Sequence, residues 1–189
     1  MLVAFVSSFL IVALAEMGDK TQLVAFSLAS RFRRTWMVMF GILIATTVNH
    51  ALASSAGVWV ATKVPESVLG WVLALSFIAF CVWTLVPDAA QDEGGESRWG
   101  PLLSTVIIFF LAEMGDKTQL ATVALGARFG SPVTVTAGTT LGMLVSDGLA
   151  VFGGNYLAKR VPMWFVRRIA AGLFFAFGVM AIVRAVGVR

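Results

Sequence analysis

Charged residues are scarce in this sequence, and cysteine and histidine are almost absent. Asp, Glu, Lys and Arg together make up 13% of the 189 residues, whereas soluble domains carry about 25%. The single Cys81 excludes a disulfide framework. Together with the single His50 it also excludes a zinc site built from Cys and His ligands. The chain therefore lacks the usual means of stabilising a small secreted or zinc-bound domain.

Apolar residues are abundant instead. They make up 59% of the chain, and the mean hydropathy is +0.90. A chain of this length cannot bury so much apolar surface in its own core, so the excess must face lipid. The net charge of +4 does not indicate nucleic-acid binding, because the basic residues lie in short clusters between apolar runs. We predict a lipid bilayer as the surroundings and no nucleic-acid partner.

The sequence contains an internal duplication at an offset of 97 residues. The segment LAEMGDKTQL occupies residues 14–23 and recurs unchanged at residues 111–120, and the match continues without gaps into both halves. Duplication of this kind is common in membrane transporters. We predict a first repeat over residues 1–87, an acidic linker over 88–98 and a second repeat over 99–189, all within one transmembrane domain.

Each half contains three apolar segments that are long enough to cross a bilayer as helices. Because backbone groups in lipid must pair within a span, helix is the only option for so few long segments. We predict an all-α polytopic membrane protein of six transmembrane helices. Three spans are an odd number, so the second half enters the membrane from the opposite side, which gives two inverted-topology three-helix repeats. The predicted spans are 2–29, 35–61, 67–87, 101–127, 132–157 and 162–185.

The loop charges favour one orientation of the chain. With the N-terminus outside, eight basic residues lie on the cytoplasmic side and four lie outside, as the positive-inside rule prefers. We therefore predict a multi-pass protein of the plasma (inner) membrane with both termini outside and the linker in the cytoplasm. The cytoplasmic set is Arg31, Arg33, Arg34, Arg98, Lys159, Arg160, Arg167 and Arg168, and the outer set is Lys63, Arg128, Arg184 and Arg189.

The duplicated segment places ionisable residues in the middle of two predicted spans, where each costs about 2.5–3.5 kcal/mol. A structural alternative is that the charges only hold helices together by pairing. Packing alone does not require the same pattern twice at the same depth, so we interpret the residues as functional. They are Glu16, Asp19 and Lys20 in the first repeat and Glu113, Asp116 and Lys117 in the second.

The spacing of the motif indicates a site for a hard cation. Glu16 and Asp19 are three residues apart, so in a continuous helix they would share one face. Gly18 between them allows either close helix approach or local unwinding. Two facing motifs would pool four carboxylates with two lysines, and the remaining charge of −2 matches a divalent ion. Oxygen ligands suit Ca²⁺, Mg²⁺ or Mn²⁺. Further predicted oxygen ligands are Thr21, Gln22, Thr118 and Gln119.

Without a metal ion, clustered carboxylates in a low dielectric would hold protons, and an arriving metal ion would displace them. This competition predicts exchange of metal for protons. Lys20 and Lys117 are interpreted as counter-ions or as occupants of the empty site. Asn49, His50 and Asp147 lie midway along the second apolar segments, where they either assist with ligands and protons or hydrogen-bond neighbouring helices.

The duplicated EMGDKT at residues 16–21 and 113–118 resembles the signature of the manganese/calcium:proton antiporter family, and the resemblance covers essentially the whole chain. It implies two three-helix repeats and export of Mn²⁺ in the bacterial members. The motif acids of the family fall on Glu16, Asp19, Glu113 and Asp116, and its motif hydroxyls fall on Thr21 and Thr118.

We therefore predict a transporter rather than an enzyme, one that exports Mn²⁺ in exchange for protons by alternating access. It would need no cofactor besides the transported cation. The alternatives are a Ca²⁺/H⁺ antiporter on the same scaffold, a cation channel and an intramembrane lipid-phosphate hydrolase. A hydrolase of this kind would need an arginine or a His/Ser nucleophile arrangement in the middle of a span. This alternative is disfavoured because every Arg lies near the end of a predicted span. Association into a homo-oligomer stays open.

Overall fold

The computed structural model describes residues 1–86, 99–158 and 163–187, which form eight α-helices. The all-α class predicted from the sequence is confirmed. The predicted acidic linker at 88–98 lies outside the described residues. In chain order the helices are α1 (Leu2–Ala15), α2 (Lys20–Phe32), α3 (Thr35–Lys63), α4 (Glu66–Leu85), α5 (Gly100–Ala112), α6 (Lys117–Phe129), α7 (Pro132–Ala158) and α8 (Met163–Gly187).

Both halves contain the same series of elements, which is two short helices followed by two long ones. The long helices α3, α4, α7 and α8 each contain a stretch with the length and apolar character of a membrane span. The short helices α1 and α2 meet this criterion together, and they are bent by 75° at the break between them. The shorter apolar helix α5 has 13 residues. The described part of the chain thus contains four to five candidate spans, and the predicted six spans and inverted orientation stay predictions.

The first predicted span of each half is not one continuous helix. Segments 2–29 and 101–127 were each predicted as one span, and each is interrupted at the duplicated motif, between α1 and α2 and between α5 and α6. Glu16 and Asp19 therefore do not share a helix face, because one lies at the end of α1 and the other at the start of α2. Of the two roles considered for Gly18, local unwinding is the one that the structure adopts.

The distribution of polar and apolar side chains is inside out relative to a soluble protein. Many large apolar side chains are exposed, among them Leu52, Leu75 and Val82, each about 60% or more accessible. The acidic residues of the motif are buried at the same time, and Glu16 is completely inaccessible. Exposed apolar surface of this extent requires an apolar solvent. The chain is a membrane protein.

The two halves pack against each other through equivalent contacts. Helix α1 packs on α7, and its counterpart α5 packs on α3. A glycine permits each close approach: a Cβ on Gly41 would lie 2.7 Å from Cβ of Thr105 on α5, and one on Gly138 would lie 2.6 Å from the Phe5 carbonyl of α1. Gly41 and Gly138 are 97 residues apart, so they are equivalent positions of the repeat. Small residues at such crossings are typical of membrane helices.

Helices α4 and α8 form a second contact between the halves. Phe77 of α4 and Phe174 of α8 are both buried, and their ring centroids lie 6.5 Å apart. Phe80 extends the cluster, with its ring centroid 5.7 Å from that of Phe174. Stacked and tilted aromatic pairs at these distances stabilise a helix contact beyond the area they bury. Phe77 and Phe174 are again equivalent positions of the repeat. At this contact a helix of the first repeat therefore packs against the equivalent helix of the second.

Candidate metal site

The two helix breaks have nearly the same backbone conformation. Gly18 and Gly115 adopt φ angles of 78° and 79°, in the left-handed region that only glycine enters without strain. The next residue, Asp19 or Asp116, is extended and forms the N-cap of α2 or α6. The Asp19 carboxylate accepts a hydrogen bond of 2.6 Å from the backbone N–H of Lys20. Each break therefore ends one helix on a glutamate and begins the next on an aspartate.

Gln22 and Gln119 brace the two breaks in the same way. The Oε1 atom of Gln22 accepts a 2.8 Å hydrogen bond from the N–H of Gly18, and its Nε2 donates to the carbonyl and the hydroxyl of Ser146 on α7, at 2.7 and 2.8 Å. Gln119 likewise accepts from the N–H of Gly115, at 2.6 Å, and donates to Oδ1 of Asn49 on α3. Each glutamine thus holds its own break and ties it to the other half.

Three carboxylates converge between the two breaks. Single oxygen atoms of Glu16, Asp19 and Asp116 lie within 4.8 Å of one another, and all three side chains are buried. Glu113 is 1% exposed and interacts electrostatically with all three of these acids. The structure therefore brings the four motif acids into one neighbourhood, and three of them are close enough to share one ion.

The acids of the first motif have hydrogen-bond and ion-pair partners. Both carboxylate oxygens of Glu16 accept hydrogen bonds from threonine hydroxyls: Thr21 of the same half donates at 2.8 Å, and Thr118 donates from the other half. The Nζ atom of Lys117 lies 2.8 Å from Oδ2 of Asp19. An ammonium group from the second repeat therefore lies against a carboxylate of the first.

The second motif differs although its sequence is identical. No described residue donates a hydrogen bond to either carboxylate oxygen of Glu113 or to Oδ2 of Asp116, and these atoms are buried. Lys20 is half-buried and makes no ion pair within residues 1–86, 99–158 and 163–187, in contrast to Lys117. Buried acids without partners are costly unless a cation or a proton neutralises them. The candidate site therefore has buried carboxylate oxygens without described hydrogen-bond partners on the side of the second motif.

The polar residues predicted to assist the site from α3 and α7 differ in what they contact. Asp147 is completely buried, none of the described residues donates to its carboxylate, and it interacts electrostatically with Glu16 and Glu113. Asn49 contacts the second motif through Gln119. His50 is buried, and neither of its ring nitrogens has a hydrogen-bond partner in the described part of the chain. Asp147 is thus a fifth acid of this neighbourhood, and Asn49 is a bracing residue.

The sequence did not single out two contacts that the structure makes with the breaks. Ser146 accepts from and supports Gln22, and its only sequence signal is its repeat equivalence to Asn49. Arg167 was placed in a cytoplasmic loop, but it lies in the second turn of α8 and its Nη2 donates a 3.3 Å hydrogen bond to the Gly18 carbonyl. No periodicity or motif marks Arg167, because the contact depends on how α8 packs beside the first break.

Comparison with known proteins gives a consistent result. A family model described as "Divalent cation/proton antiporter GDT1" matches residues 4–92 and 101–188, which is one match in each half. A Vibrio cholerae protein named "Putative manganese exporter" is 45% identical over 164 residues, covering 86% of this chain and 82% of that protein. The Synechocystis "GDT1-like protein sll0615" is 30% identical over 205 residues and covers 96% of this chain and 97% of its own.

A plant relative is longer than this chain. The rice "GDT1-like protein 1, chloroplastic" (Oryza sativa subsp. indica) is 30% identical over 213 residues, which cover 96% of this chain but 62% of the rice protein. No solved structure matches the chain.

Proposed function

The chain belongs to the GDT1 family of divalent cation/proton antiporters, and from this premise we propose that it exports Mn²⁺ from the cytoplasm in exchange for protons. The family is one of transporters, not enzymes. The observation that carries the proposal is the convergence of Glu16, Asp19 and Asp116 from two helix breaks, with ligand oxygens within 4.8 Å. Carboxylate oxygens at this separation suit a hard divalent ion.

The ligands would come from both halves. In our proposal Glu16, Asp19 and Asp116 bind the ion directly, Glu113 completes the set, and the Thr21 and Thr118 hydroxyls orient Glu16 or turn to the metal. The amide oxygen of Gln22 already accepts a hydrogen bond from the N–H of Gly18, and that of Gln119 accepts one from the N–H of Gly115. We therefore propose that the two glutamines position the breaks rather than coordinate the ion.

Lys117 would act as an internal counter-ion for the empty site. Its ammonium lies 2.8 Å from the Asp19 carboxylate, and a divalent ion placed among the three acids would repel it. We propose that Lys117 swings away when the metal ion binds and returns when it leaves. This limits the cost of the buried carboxylates during the part of the cycle in which no metal is bound.

The proton side of the exchange would use the acids that lack partners. The carboxylates of Glu113 and Asp147 are buried, and no described residue donates to them. In the absence of metal, buried like charges are relieved by proton binding, and an arriving cation takes the place of those protons. We propose Glu113 and Asp147 as the proton carriers, with His50 available as a further group.

The arrangement of the halves supports alternating access. The brace of Gln22 to Ser146 and that of Gln119 to Asn49 exchange under the 97-residue offset, and Phe77 contacts its own equivalent, Phe174. Such pairings are expected where a pseudo-two-fold axis passes between two repeats. We propose that the repeats are inverted, that α1–α2 and α5–α6 are broken spans, and that rocking of one repeat opens the site to each side in turn.

In this proposal the protein is a multi-pass protein of the plasma (inner) membrane with both termini outside. A bacterial relative that bears the name "Putative manganese exporter" supports Mn²⁺ as the main substrate. An all-oxygen ligand set also suits Ca²⁺, so a Ca²⁺/H⁺ antiporter is the second candidate. The two differ only in the preferred ion, which competition between the ions measures directly.

Transport by the purified full chain in proteoliposomes with a pH-sensitive dye inside tests the proposal. We expect Mn²⁺ flux accompanied by opposite proton flux, and a fall of at least about a hundredfold for Asp19→Asn and for Asp116→Asn, because each change removes a charged ligand in a low dielectric. The matched control is Glu66→Gln, which neutralises an exposed acid at the start of α4 and should keep the wild-type rate.

Each outcome has a defined meaning. Metal flux without proton movement would contradict antiport and indicate a channel. Flux that both aspartate variants retain would contradict the assigned site. A preference for Ca²⁺ over Mn²⁺ in competition would replace the substrate but keep the mechanism.

A further inference from the structure

The helix break at the first motif is bonded to a side chain of α8, and the duplication does not provide an equivalent side chain for the second motif. The Nη2 atom of Arg167 donates a 3.3 Å hydrogen bond to the carbonyl of Gly18. The N–H of the same glycine is bonded to Gln22. Both polar groups of Gly18 are thus satisfied by side chains, one from its own half and one from the other. Backbone polar groups within the hydrocarbon region of a membrane must find hydrogen-bond partners inside the protein.

The position equivalent to Arg167 in the first half is not an arginine. The position 97 residues before Arg167 is Gly70, in the second turn of α4. Gly70 packs so closely on α8 that a Cβ there would lie 3.0 Å from the Cβ of Ala185. A long side chain at residue 70 would therefore have to displace α8. The connection is one-sided because the packing of α4 on α8 excludes it from the other half.

We infer that Arg167 is a positioning residue that latches the first motif break to α8 and stabilises the conformation seen here. The inference rests on the proposed transport function, because a latch matters only if the break moves during the cycle. Any movement of the first break relative to α8 must release this charge-assisted hydrogen bond. Within residues 1–86, 99–158 and 163–187 no arginine bonds the second break in this way, so the two breaks open unequally.

The position of the charge is also important. Gly18 directly precedes Asp19, so the guanidinium of Arg167 lies beside the first motif, and among the described residues it forms no ion pair with a motif carboxylate. Removing it should therefore change the stability of the break much more than the intrinsic affinity of the acids for metal. This separates a latch from a metal ligand or a counter-ion.

Hydrogen–deuterium exchange of the purified full chain tests the inference. The segments 14–23 and 111–120 have identical sequences, so from their second residue onward their intrinsic exchange rates are equal and each serves as the control for the other. Their flanking residues distinguish the peptides. We expect slower exchange at the first break in the wild type. Arg167→Gln should accelerate it about tenfold, the effect of losing one hydrogen bond to a charged group, and leave the second break unchanged.

Two further variants make the test specific. Arg167→Lys keeps a charged donor and should restore part of the protection. Arg168→Gln removes the adjacent, exposed arginine, which stacks on Trp164 with 4.8 Å to the ring centroid, and should leave exchange at both breaks as in the wild type. Equal acceleration at both breaks in Arg167→Gln would indicate general destabilisation and overturn the latch, as would unchanged exchange at the first break.

Transport kinetics complete the design. In proteoliposomes Arg167→Gln should alter the maximal rate about fivefold or more, while the equilibrium affinity of the purified protein for Mn²⁺ stays within about twofold of the wild type. A large loss of Mn²⁺ affinity would overturn the positioning role. If exchange behaves as expected but no variant, wild type included, transports metal, the proposed function fails and the latch itself stands.

Discussion

Lys117 and Lys20 have the same neighbours in sequence but different neighbours in space. Lys117 is buried and paired with Asp19, while Lys20 is half-buried and without an ion pair among the described residues. The segments around them are identical over ten residues. The difference must therefore come from surrounding residues that are not identical in the two halves. One such pair is Asp147 in the second half and His50, which occupies the equivalent position in the first.

This difference leads to a prediction for Lys117→Met with Lys20→Met as its matched control. Losing the Lys117 ammonium removes the ion pair that it forms with the buried Asp19 carboxylate, which costs about 3–5 kcal/mol. We expect the metal-free protein to melt at a clearly lower temperature. Mn²⁺ should stabilise the variant more than the wild type, because the ion no longer has to displace an ammonium. Thermal unfolding with and without Mn²⁺ measures both effects.

Lys20→Met should change the melting temperature and its response to Mn²⁺ much less, because Lys20 has no ion pair to lose among the residues that the structure describes. Equal effects of the two substitutions would contradict the assignment of Lys117 as the internal counter-ion. A reduced response to Mn²⁺ in Lys117→Met would contradict the proposed displacement.

At the scale of helices, the sequence predicted the long elements well. The bounds of α3, α4, α7 and α8 lie within about two residues of the predicted segments, which is the normal uncertainty of helix ends. The breaks were foreseen only as one of two roles for Gly18, because four residues change little in the mean hydropathy of a long apolar segment. A clearer signal was present: Asp-Lys-Thr-Gln after a glycine has the form of a helix C-terminus followed by a capping box.

The ends of α2 and α6 provide a stability prediction. Both helices end on a residue in the left-handed region, Arg33 with φ of 51° and Gly130 with φ of 63°, and these are equivalent positions of the repeat. Gly130→Ala should lower the free energy of unfolding by about 1 kcal/mol, and Arg33→Gly should raise it by a smaller amount, since only glycine adopts this conformation without strain. Denaturation in detergent micelles measures both changes.

Gly172→Ala is a suitable control, because an added Cβ at this position of α8 meets no atom within 4 Å and the residue lies inside a helix. Alanine favours helix there, so this variant should be at least as stable as the wild type. A loss of stability in Arg33→Gly would contradict the assignment of strain to that helix end.

At the scale of the whole molecule, the sequence predicted the duplication and the gathering of the motifs, but not which residues each half contributes to the other. The neighbourhood of Asp147 and the braces from Ser146 and Asn49 depend on the packing of α1 on α7 and α5 on α3. That packing follows from close contacts at glycines such as Gly41 and Gly138. Periodicity within one helix carries no information about its partner helix.

The proposed rocking of the repeats leads to a prediction for a bond between them. Ser54 of α3 and Thr136 of α7 come from different halves, and their hydroxyl oxygens lie 2.8 Å apart. Replacing both with cysteine in a Cys81→Ser background would place two thiols within reach of a disulfide. If α3 and α7 move relative to each other during transport, oxidation should abolish Mn²⁺ flux, and reduction should restore it to the level of the same variant before oxidation.

The two single-cysteine variants in the same background control for oxidation as such and should transport equally under both conditions. Retained flux in a chain shown to be fully cross-linked would mean that α3 and α7 move as one body. The motion would then have to lie within each half, between the motif breaks and the helices that brace them. In that case the Gln22 and Gln119 braces would be the contacts that exchange during transport, and the Arg167 latch would act on a break that moves within its own repeat.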